Sequence, residues 1–141
     1  MTSGGHLLFP RSIDLAPDGN LYVLEGSPGA VVRVEPGSGT QTLITTGIID
    51  AFAVDANGVG YIALDDAASA PNYHLYRLDL TNGQTTRISN TAFYDPRGLA
   101  ADAAGNLILS EYGQASVQRI DPATGAVTLL SSGDPFMAPW G

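Results

Sequence analysis

The stretch "APDGNLYVLE" at residues 16–25 has a companion later in the chain, "AAGNLILSE" at residues 103–111. A shift of about 86 residues lays the whole of residues 10–47 on residues 96–133 without a gap. Glycine, asparagine, arginine and proline recur at matching places along this alignment. The chain is therefore built from repeats, and the two clearest copies lie on either side of a third.

The middle copy is less similar in sequence to the other two, and it carries about five extra residues between its halves. It retains "FAVDANGVGYIALD" at residues 52–65 and "LYRLDLTNGQTTRIS" at residues 75–89, so the period is about 43 residues. We predict five segments: a lead-in at residues 1–9, repeats at residues 10–47, 48–95 and 96–133, and residues 134–141 as an incomplete fourth repeat or a joint between chains. The insertion of the middle repeat lies at residues 65–74.

Each repeat has the pattern of four short β-strands. In the first repeat the strand candidates are residues 12–16, 21–25, 31–35 and 40–46. Gly-rich turns such as "PDGN" and "PGSG" separate them, and no window shows an apolar period of 3.6 residues. Four antiparallel strands make one sheet, which cannot bury both of its faces alone. Sheets of this kind stack radially, so the sequence predicts an all-β fold made of β-propeller blades, three in this chain.

Composition excludes several classes of function. The 141 residues have a net charge of −8, with all six basic residues arginine, which disfavours binding to a phosphate backbone. No apolar run reaches the roughly 20 residues of a membrane span. The start "MTSGGHLLF" does not have the pattern of a signal peptide, so we expect a soluble chain of unknown compartment. The absence of cysteine excludes disulfides and thiol chemistry.

Two motifs carry a resemblance to a known family. The pattern P-x-(G/S)-(I/L)-A-x-x-x-x-G-N-(L/I)-Y-V, followed by V-x-R-(V/I)-(D/E)-P-x-(S/T)-G, resembles NHL-repeat propellers and the neighbouring SMP-30/gluconolactonase-like and streptogramin-lyase-like propellers. The resemblance implies that the first strand of each repeat lines a central channel and that ligands bind at its mouth. It also implies five to seven blades in a ring, where this chain has three.

Three blades span about half a ring and leave two apolar faces open. We predict that two copies close a six-bladed homodimer, because two-fold symmetry is the commonest in oligomers. The other interpretation is that the chain is a fragment or an engineered half of a longer propeller. The predicted interface residues are Leu15, Val23, Leu109, Phe136 and Trp140.

Acidic residues recur at the end of the second strand, namely Glu25, Asp65 or Asp66, and Glu111, and we take Asp65 as the candidate of the middle repeat. A ring of carboxylates could hold Ca²⁺ or Mg²⁺. Because the pattern repeats in each blade, we favour the alternative that these side chains accept backbone N–H bonds. The resemblance points the same way, since SMP-30-like enzymes place a metal-binding glutamate at the start of the first strand, where this chain has other residues. We therefore predict no cofactor, with the divalent cation as the alternative.

At the start of the first strand, the three repeats carry Arg11, Asp50 and Arg97, which would place charges of alternating sign around the channel. The two arginines could clamp an anionic ligand, but we favour ion pairs with neighbouring aspartates. The irregular insertion is a second candidate binding site. The remaining predicted ligand-binding residues are Asp66, Tyr73, His74 and Tyr112.

No set of residues has the spacing of a catalytic triad, and we predict no catalytic residue. The sequence favours a non-catalytic scaffold or binding module that assembles with itself. Two alternatives stay open, a metal-dependent lyase or lactonase-like hydrolase, and a module that binds a sugar, a peptide or another small molecule. A nucleic acid or a membrane is not an expected partner.

Overall fold

The structure is a computed structural model, and it describes residues 5–27, 29–66 and 73–133. These residues form three four-stranded antiparallel sheets in which sequence neighbours pair. Sheet 1 has β1 (Pro10–Leu15), β2 (Leu21–Glu25), β3 (Ala30–Val34) and β4 (Gln41–Thr46). Sheet 2 has β5 (Ile49–Val54), β6 (Gly60–Asp65), β7 (Tyr73–Leu78) and β8 (Thr85–Arg87), and sheet 3 has β9 (Pro96–Ala101), β10 (Leu107–Glu111), β11 (Ser116–Ile120) and β12 (Val127–Ser132). The prediction of three four-stranded sheets is thus confirmed.

The turns between the first and second strands explain the recurring glycine. From their place in the sequence, Gly19, Gly58 and Gly105 are expected to have positive φ, and their φ angles are 84°, 80° and 87°. This left-handed conformation is strained for residues that carry a Cβ atom. An aspartate of each turn accepts backbone N–H groups, as where the Asp18 carboxylate accepts the Asn20 N–H and the Asp55 carboxylate accepts the Val59 N–H, each at 2.9 Å. The sequence match between repeats is therefore a match of turn geometry.

Two apolar clusters hold the sheets together. The cluster between sheets 1 and 2 contains Tyr22, Leu24, Val31, Phe52, Val54, Ile62 and Leu78. The cluster between sheets 2 and 3 contains Tyr61, Ala63, Leu75, Phe93, Leu107, Leu109 and Ile120. The first strands of the three sheets are neighbours, with β5 in contact with both β1 and β9. Sheet 2 is therefore covered on both faces, whereas sheets 1 and 3 are each covered on one.

The strand register decides which residues lie on the two remaining faces. Leu15 and Val23 lie on the face of sheet 1 that is turned away from sheet 2, together with Ile13 and Val32. We call this the open face of sheet 1. The corresponding open face of sheet 3 carries Ile108, Ser110 and Val117 and is turned away from sheet 2.

The prediction that Leu109 lies at an interface is wrong. Leu109 is 0% exposed and packs in the cluster between sheets 2 and 3. Adjacent residues of a strand point to opposite faces, so Leu109 cannot share a face with Ile108. The predicted interface residues Phe136 and Trp140, with the rest of residues 134–141, lie outside the described residues.

The lead-in lies over part of the open face of sheet 1. The backbone N–H of His6 donates to the Gln41 side chain at 2.7 Å, and that of Leu8 donates to Glu25 at 2.8 Å. Gln41 and Glu25 lie on the same face as Val23. The lead-in therefore shields Val23, which is buried although it lies on the open face.

Candidate functional site

The first strands of the three sheets, β1, β5 and β9, lie next to one another, and we call them the innermost strands. Each of them begins with a β-bulge. The register skips one residue between Pro10 and Ser12, between Ile49 and Ala51, and between Pro96 and Gly98. The skipped residues are Arg11, Asp50 and Arg97, so the three predicted ligand-binding residues occupy equivalent places in the three sheets. A bulge turns its side chain out of the normal alternation of a strand and often re-aims it at a functional surface.

Arg11 and Asp50 join sheets 1 and 2. The Arg11 Nη1 atom lies 2.8 Å from Asp50 Oδ1, and both side chains are partly exposed. The hydroxyl of Tyr73 also hydrogen-bonds Asp50, and burial together with this carboxylate raises the pKa of Tyr73. Tyr73 is itself buried. The Tyr73 hydroxyl therefore holds the Asp50 carboxylate by a hydrogen bond, and the buried ring of Tyr73 is not positioned to contact a ligand.

Arg97 forms a second ion pair, with Asp95. Both carboxylate oxygens of Asp95 contact the guanidinium, at 2.8 Å from Nε and 2.9 Å from Nη2. The hydrogen bond and the charge of Asp95 raise the pKa of Arg97 although burial opposes the shift, and Asp50 adds a smaller effect. The exposed ring of Tyr112 lies against the guanidinium, 5.7 Å from its carbon to the ring centre. Asp95 has a φ of 53°, a left-handed conformation that aspartate tolerates better than most residues.

The predicted pairing of the two arginines with neighbouring aspartates is present at both positions. An anionic ligand would therefore compete with Asp50 and Asp95 for the guanidinium groups. Beside these ion pairs lies a groove of about 610 Å³ along the innermost strands. Its lining consists of Arg11, Ser12, Leu24, Asp50, Ala51, Phe52, Arg97, Gly98, Leu99, Ala100, Ile108, Ser110 and Val117. The groove is lined both by these charged groups and by apolar side chains, among them Ile108 and Val117 of the open face of sheet 3.

The carboxylates of Glu25 and Glu111 each bind backbone amides of the segment that precedes the first strand of their own sheet. Glu25 accepts the N–H groups of Leu8 and Phe9, and Glu111 accepts the N–H of Tyr94. Each glutamate is 1% exposed. They therefore fix the segment that leads into the first strand of the sheet, as the favoured interpretation of the sequence expects.

Asp65 is not the counterpart of these glutamates, which corrects the alignment made from sequence. The residues that pair with the start of the innermost strand are Glu25, Leu64 and Glu111, opposite Pro10, Ile49 and Pro96. Leu64 takes the equivalent place in sheet 2 and packs between sheets 1 and 2. A one-residue offset moves a side chain to the other face, so Asp65 points toward sheet 3. Within residues 5–27, 29–66 and 73–133, no three acidic or histidine side chains are grouped closely enough to hold a metal ion.

Burial raises the pKa of Glu111 above its ordinary value of 4.5, although hydrogen bonds from Tyr94, Ser116 and Gln118 act in the opposite direction. The stability that Glu111 contributes is thus fully present below pH 4.5 and is lost as the pH rises through the raised pKa. We expect the unfolding free energy of the unmodified chain, minus that of Glu111→Gln, to fall between pH 4.5 and neutral pH. Urea denaturation at both pH values measures this difference, and a difference that is constant or increases with pH would contradict it.

The insertion in sheet 2 is closed at its base by a polar cluster. Asp66 accepts a hydrogen bond from the Tyr76 hydroxyl, and its carboxylate lies 2.8 Å from Nδ1 of His74. Arg87 Nη1 lies 3.9 Å away from the same carboxylate. Burial alone would raise the pKa of Asp66, but the bonds from Tyr76 and His74 outweigh it and lower the pKa. The predicted binding residues Asp66 and His74 are therefore used by each other, and residues 67–72 lie outside the described residues.

Sequence reasoning missed three participants of these clusters. Tyr76 and Arg87 pair across β7 and β8, and both side chains contact Asp66, while Gln118 donates to Glu111 from the neighbouring strand. The repeat alignment gave no signal for them, because the equivalent positions of other repeats carry different residues. Within the described residues, no helix is long or apolar enough to cross a membrane.

The comparisons with known proteins concern the fold. No protein-family model matches the chain, and no curated protein matches it in sequence. Among solved structures, it is similar to one in a nidogen/laminin complex, with a TM-score of 0.74 and 16% identity over 89% of this chain and 49% of that one. A gluconolactonase from Xanthomonas campestris gives a TM-score of 0.74 and 15% identity, over 95% of this chain and 50% of that one.

Virginiamycin B lyase from Staphylococcus aureus gives a TM-score of 0.70 and 16% identity, over 93% of this chain and 44% of the lyase. The chain spans about half the length of these structures. All three neighbours are β-propeller proteins, and at these identities the likeness concerns architecture alone. The chain therefore has the fold of β-propeller blades, three of them, as its repeats predict.

Proposed function

We propose that the 141-residue chain is a non-catalytic propeller scaffold or binding module that closes into a six-bladed ring with a second copy of itself. The observation that carries this proposal is the exposure of apolar side chains at places where the other sheets bury theirs. It concerns the two open faces, one at each end of the row of sheets.

The open face of sheet 1 presents Ile13 and Leu15, which are 63% and 64% exposed. The equivalent residues of sheet 2 are Phe52 and Val54, which are 5% and 9% exposed because sheet 1 covers them. Large apolar side chains that stand together on a sheet face mark an interaction surface. The open face of sheet 1 thus has the composition of a face that another blade covers.

The open face of sheet 3 has the matching composition. Ile108 and Val117 take the places of Tyr22 and Val31, which pack against sheet 2 from sheet 1. Leu130, equivalent to Ile44 of the first repeat, is 44% exposed, whereas Ile44 packs against that cluster. Sheet 3 therefore offers the kind of face that sheet 1 uses to cover sheet 2.

A second copy fits both faces at once. Sheet 3 of each copy would cover sheet 1 of the other, through two identical contacts related by a two-fold axis. If each contact buries about 1,500 Å², the apolar gain at about 25 cal/mol/Å² exceeds the roughly 4 to 15 kcal/mol that association costs. Further blades of a longer polypeptide could cover the same faces, and the solution mass of the 141-residue chain distinguishes this alternative.

The non-catalytic part of the proposal is supported by the use of the polar side chains. Arg11, Arg97 and the two buried glutamates are engaged by carboxylates or backbone amides of the chain itself. The neighbouring folds include enzymes as well as a structure solved in a protein complex, so the fold leaves a metal-dependent hydrolase or a sugar- or peptide-binding module as alternatives.

We expect light scattering at micromolar concentration to give a particle of two chains, twice 14.6 kDa. A compact particle of one-chain mass would overturn the ring.

The metal-dependent alternative is tested by measuring thermal unfolding with and without Ca²⁺ and Mg²⁺. A scaffold shows no shift, whereas a rise in melting temperature with either ion would favour the metal-dependent alternative.

A further inference from the structure

Neighbouring sheets of the chain place opposite charges side by side at the start of their innermost strands. Arg11 of sheet 1 lies next to Asp50 of sheet 2, with 2.8 Å between Nη1 and Oδ1. The pKa of Arg97 in sheet 3 is raised most by Asp95, and Asp50 of sheet 2 adds a smaller effect of the same sign. Both joints within the chain, between sheets 1 and 2 and between sheets 2 and 3, therefore have a guanidinium near a carboxylate.

The side chain of Arg97 follows the same course as that of Arg11. Arg11 lies over Gly26, where its Cδ atom is 2.4 Å from the position that a Cβ atom of residue 26 would take. Tyr112 takes the place of Gly26 in sheet 3, and the guanidinium of Arg97 lies against its ring. Since Arg11 reaches from this place to the innermost strand of the next sheet, Arg97 is directed toward the sheet that would follow sheet 3 in a ring.

In the proposed ring, the sheet that follows sheet 3 is sheet 1 of the second copy. We call this contact a closing joint, and the ring has two of them. The residue of sheet 1 at the place of Asp50 is Arg11. A closing joint therefore brings two guanidinium groups together, and like charges placed side by side weaken an interface unless a counter-charge lies between them.

The two arginines remain accessible in the single chain. The side chain of Arg11 is 35% exposed and that of Arg97 is 29% exposed. Asp95 neutralises Arg97 from within sheet 3, where the equivalent residue of sheet 1 is Phe9. The aspartates thus belong to ion pairs inside each chain, and the place that Asp50 fills between sheets 1 and 2 is filled by an arginine at the closing joint.

We propose that each closing joint is a binding site for a small oxyanion, a phosphate or a carboxylate, held between Arg97 of one copy and Arg11 of the other. This inference rests on the proposed ring. A guanidinium has more N–H donors than one carboxylate accepts, so an arginine can bind an aspartate and a second oxyanion together. Within one chain Asp50 takes the place between the two arginines, so the site is complete only in the two-chain particle.

The test compares the dissociation constant of the two-chain particle in chloride and in millimolar phosphate at the same ionic strength, by sedimentation equilibrium. We expect phosphate to lower the dissociation constant at least about tenfold, since a hydrogen bond to a charged group corresponds to about this factor in affinity. Acetate in place of phosphate separates a carboxylate site from a phosphate site, and a response to either anion supports the inference.

Asp95→Asn is expected to increase the response to the anion. It removes the carboxylate that competes for Arg97, and asparagine tolerates the left-handed φ of 53° at this position. In chloride the same variant should dissociate more readily than the unmodified chain, because the repulsion between the two arginines is less compensated.

Arg97→Gln removes one arginine of the site, and Arg33→Gln is the matched control. Arg33 carries the same charge on β3, where it contacts Thr42 and Glu35 of its own sheet. We expect phosphate to leave the dissociation constant of Arg97→Gln within about threefold of its value in chloride, and to act on Arg33→Gln as on the unmodified chain. A general effect of phosphate on apolar burial would instead act on all of them alike.

Two results would overturn the inference, and they are distinguishable. A two-chain particle that responds to neither anion, or a response that survives in Arg97→Gln, refutes the oxyanion site and leaves the ring in place. An unmodified chain that is monomeric in every buffer refutes the ring and the site together.

Discussion

Val117→Asp is expected to convert the two-chain particle that we propose into single chains. Val117 lies on the open face of sheet 3, at the place where Val31 of sheet 1 is completely buried against sheet 2. A carboxylate placed there would be desolvated at both joints of the ring without a partner, which costs several kcal/mol at each joint. We expect the dissociation constant to rise more than about 1,000-fold, so that light scattering at micromolar concentration gives the one-chain mass.

The fold of the single chain should survive, because Val117 is only partly buried within its own chain. Leu109→Asp is the matched control on the adjacent strand. It places the same charge on the covered face of sheet 3, where Leu109 is completely buried, and we expect it to unfold the chain. If Val117→Asp keeps the two-chain mass and its folded spectrum, the joint does not involve this face.

The second large effect is expected from Phe93→Ala. Phe93 is completely buried in the cluster between sheets 2 and 3, and its backbone exchanges two hydrogen bonds with Tyr73, at 2.8 and 3.1 Å. Removing the ring leaves a cavity next to a backbone that these bonds hold in place. Truncation of a buried phenylalanine costs about 3–5 kcal/mol, and we expect a loss of unfolding free energy in this range by urea denaturation.

Phe9→Ala removes the same ring at an exposed position of the lead-in, and it serves as the control. We expect it to change the unfolding free energy by less than about 0.5 kcal/mol, since solvent already surrounds most of the side chain. Equal losses in the two variants would show that the cluster between sheets 2 and 3 is not the main support of the third blade.

The sequence was sufficient for the architecture because its signals are local. Glycines such as Gly105 fix turns of one conformation, and the strand that follows each turn is rich in β-formers. In the first repeat the predicted strands differ from β1, β3 and β4 by at most two residues at each end, and β2 agrees at both ends. Turn chemistry acts over four residues, so it can be read without knowing what packs around it.

The faces of the strands could not be assigned in the same way. Both faces of a blade are apolar, so alternation along β10 does not tell which of Ile108 and Leu109 is covered by sheet 2. The same ambiguity led to Asp65 being aligned with Glu25 when the structure pairs Leu64 in that place. The ion pair of Arg11 with Asp50 could be anticipated from charge alone, but the support of Asp50 by Tyr73 depends on two different strands of sheet 2.

The β-bulges at the start of the innermost strands also have a consequence for protein engineering. A bulged residue has no cross-strand partner, so Arg11, Asp50 and Arg97 can be exchanged without shifting the register of the strands that carry them. In a two-fold ring every such exchange would appear twice, on opposite sides of the channel. A library built at these three positions would therefore select either ligands that sit on the axis and are themselves symmetric, or pairs of ligands bound with a stoichiometry of one per chain.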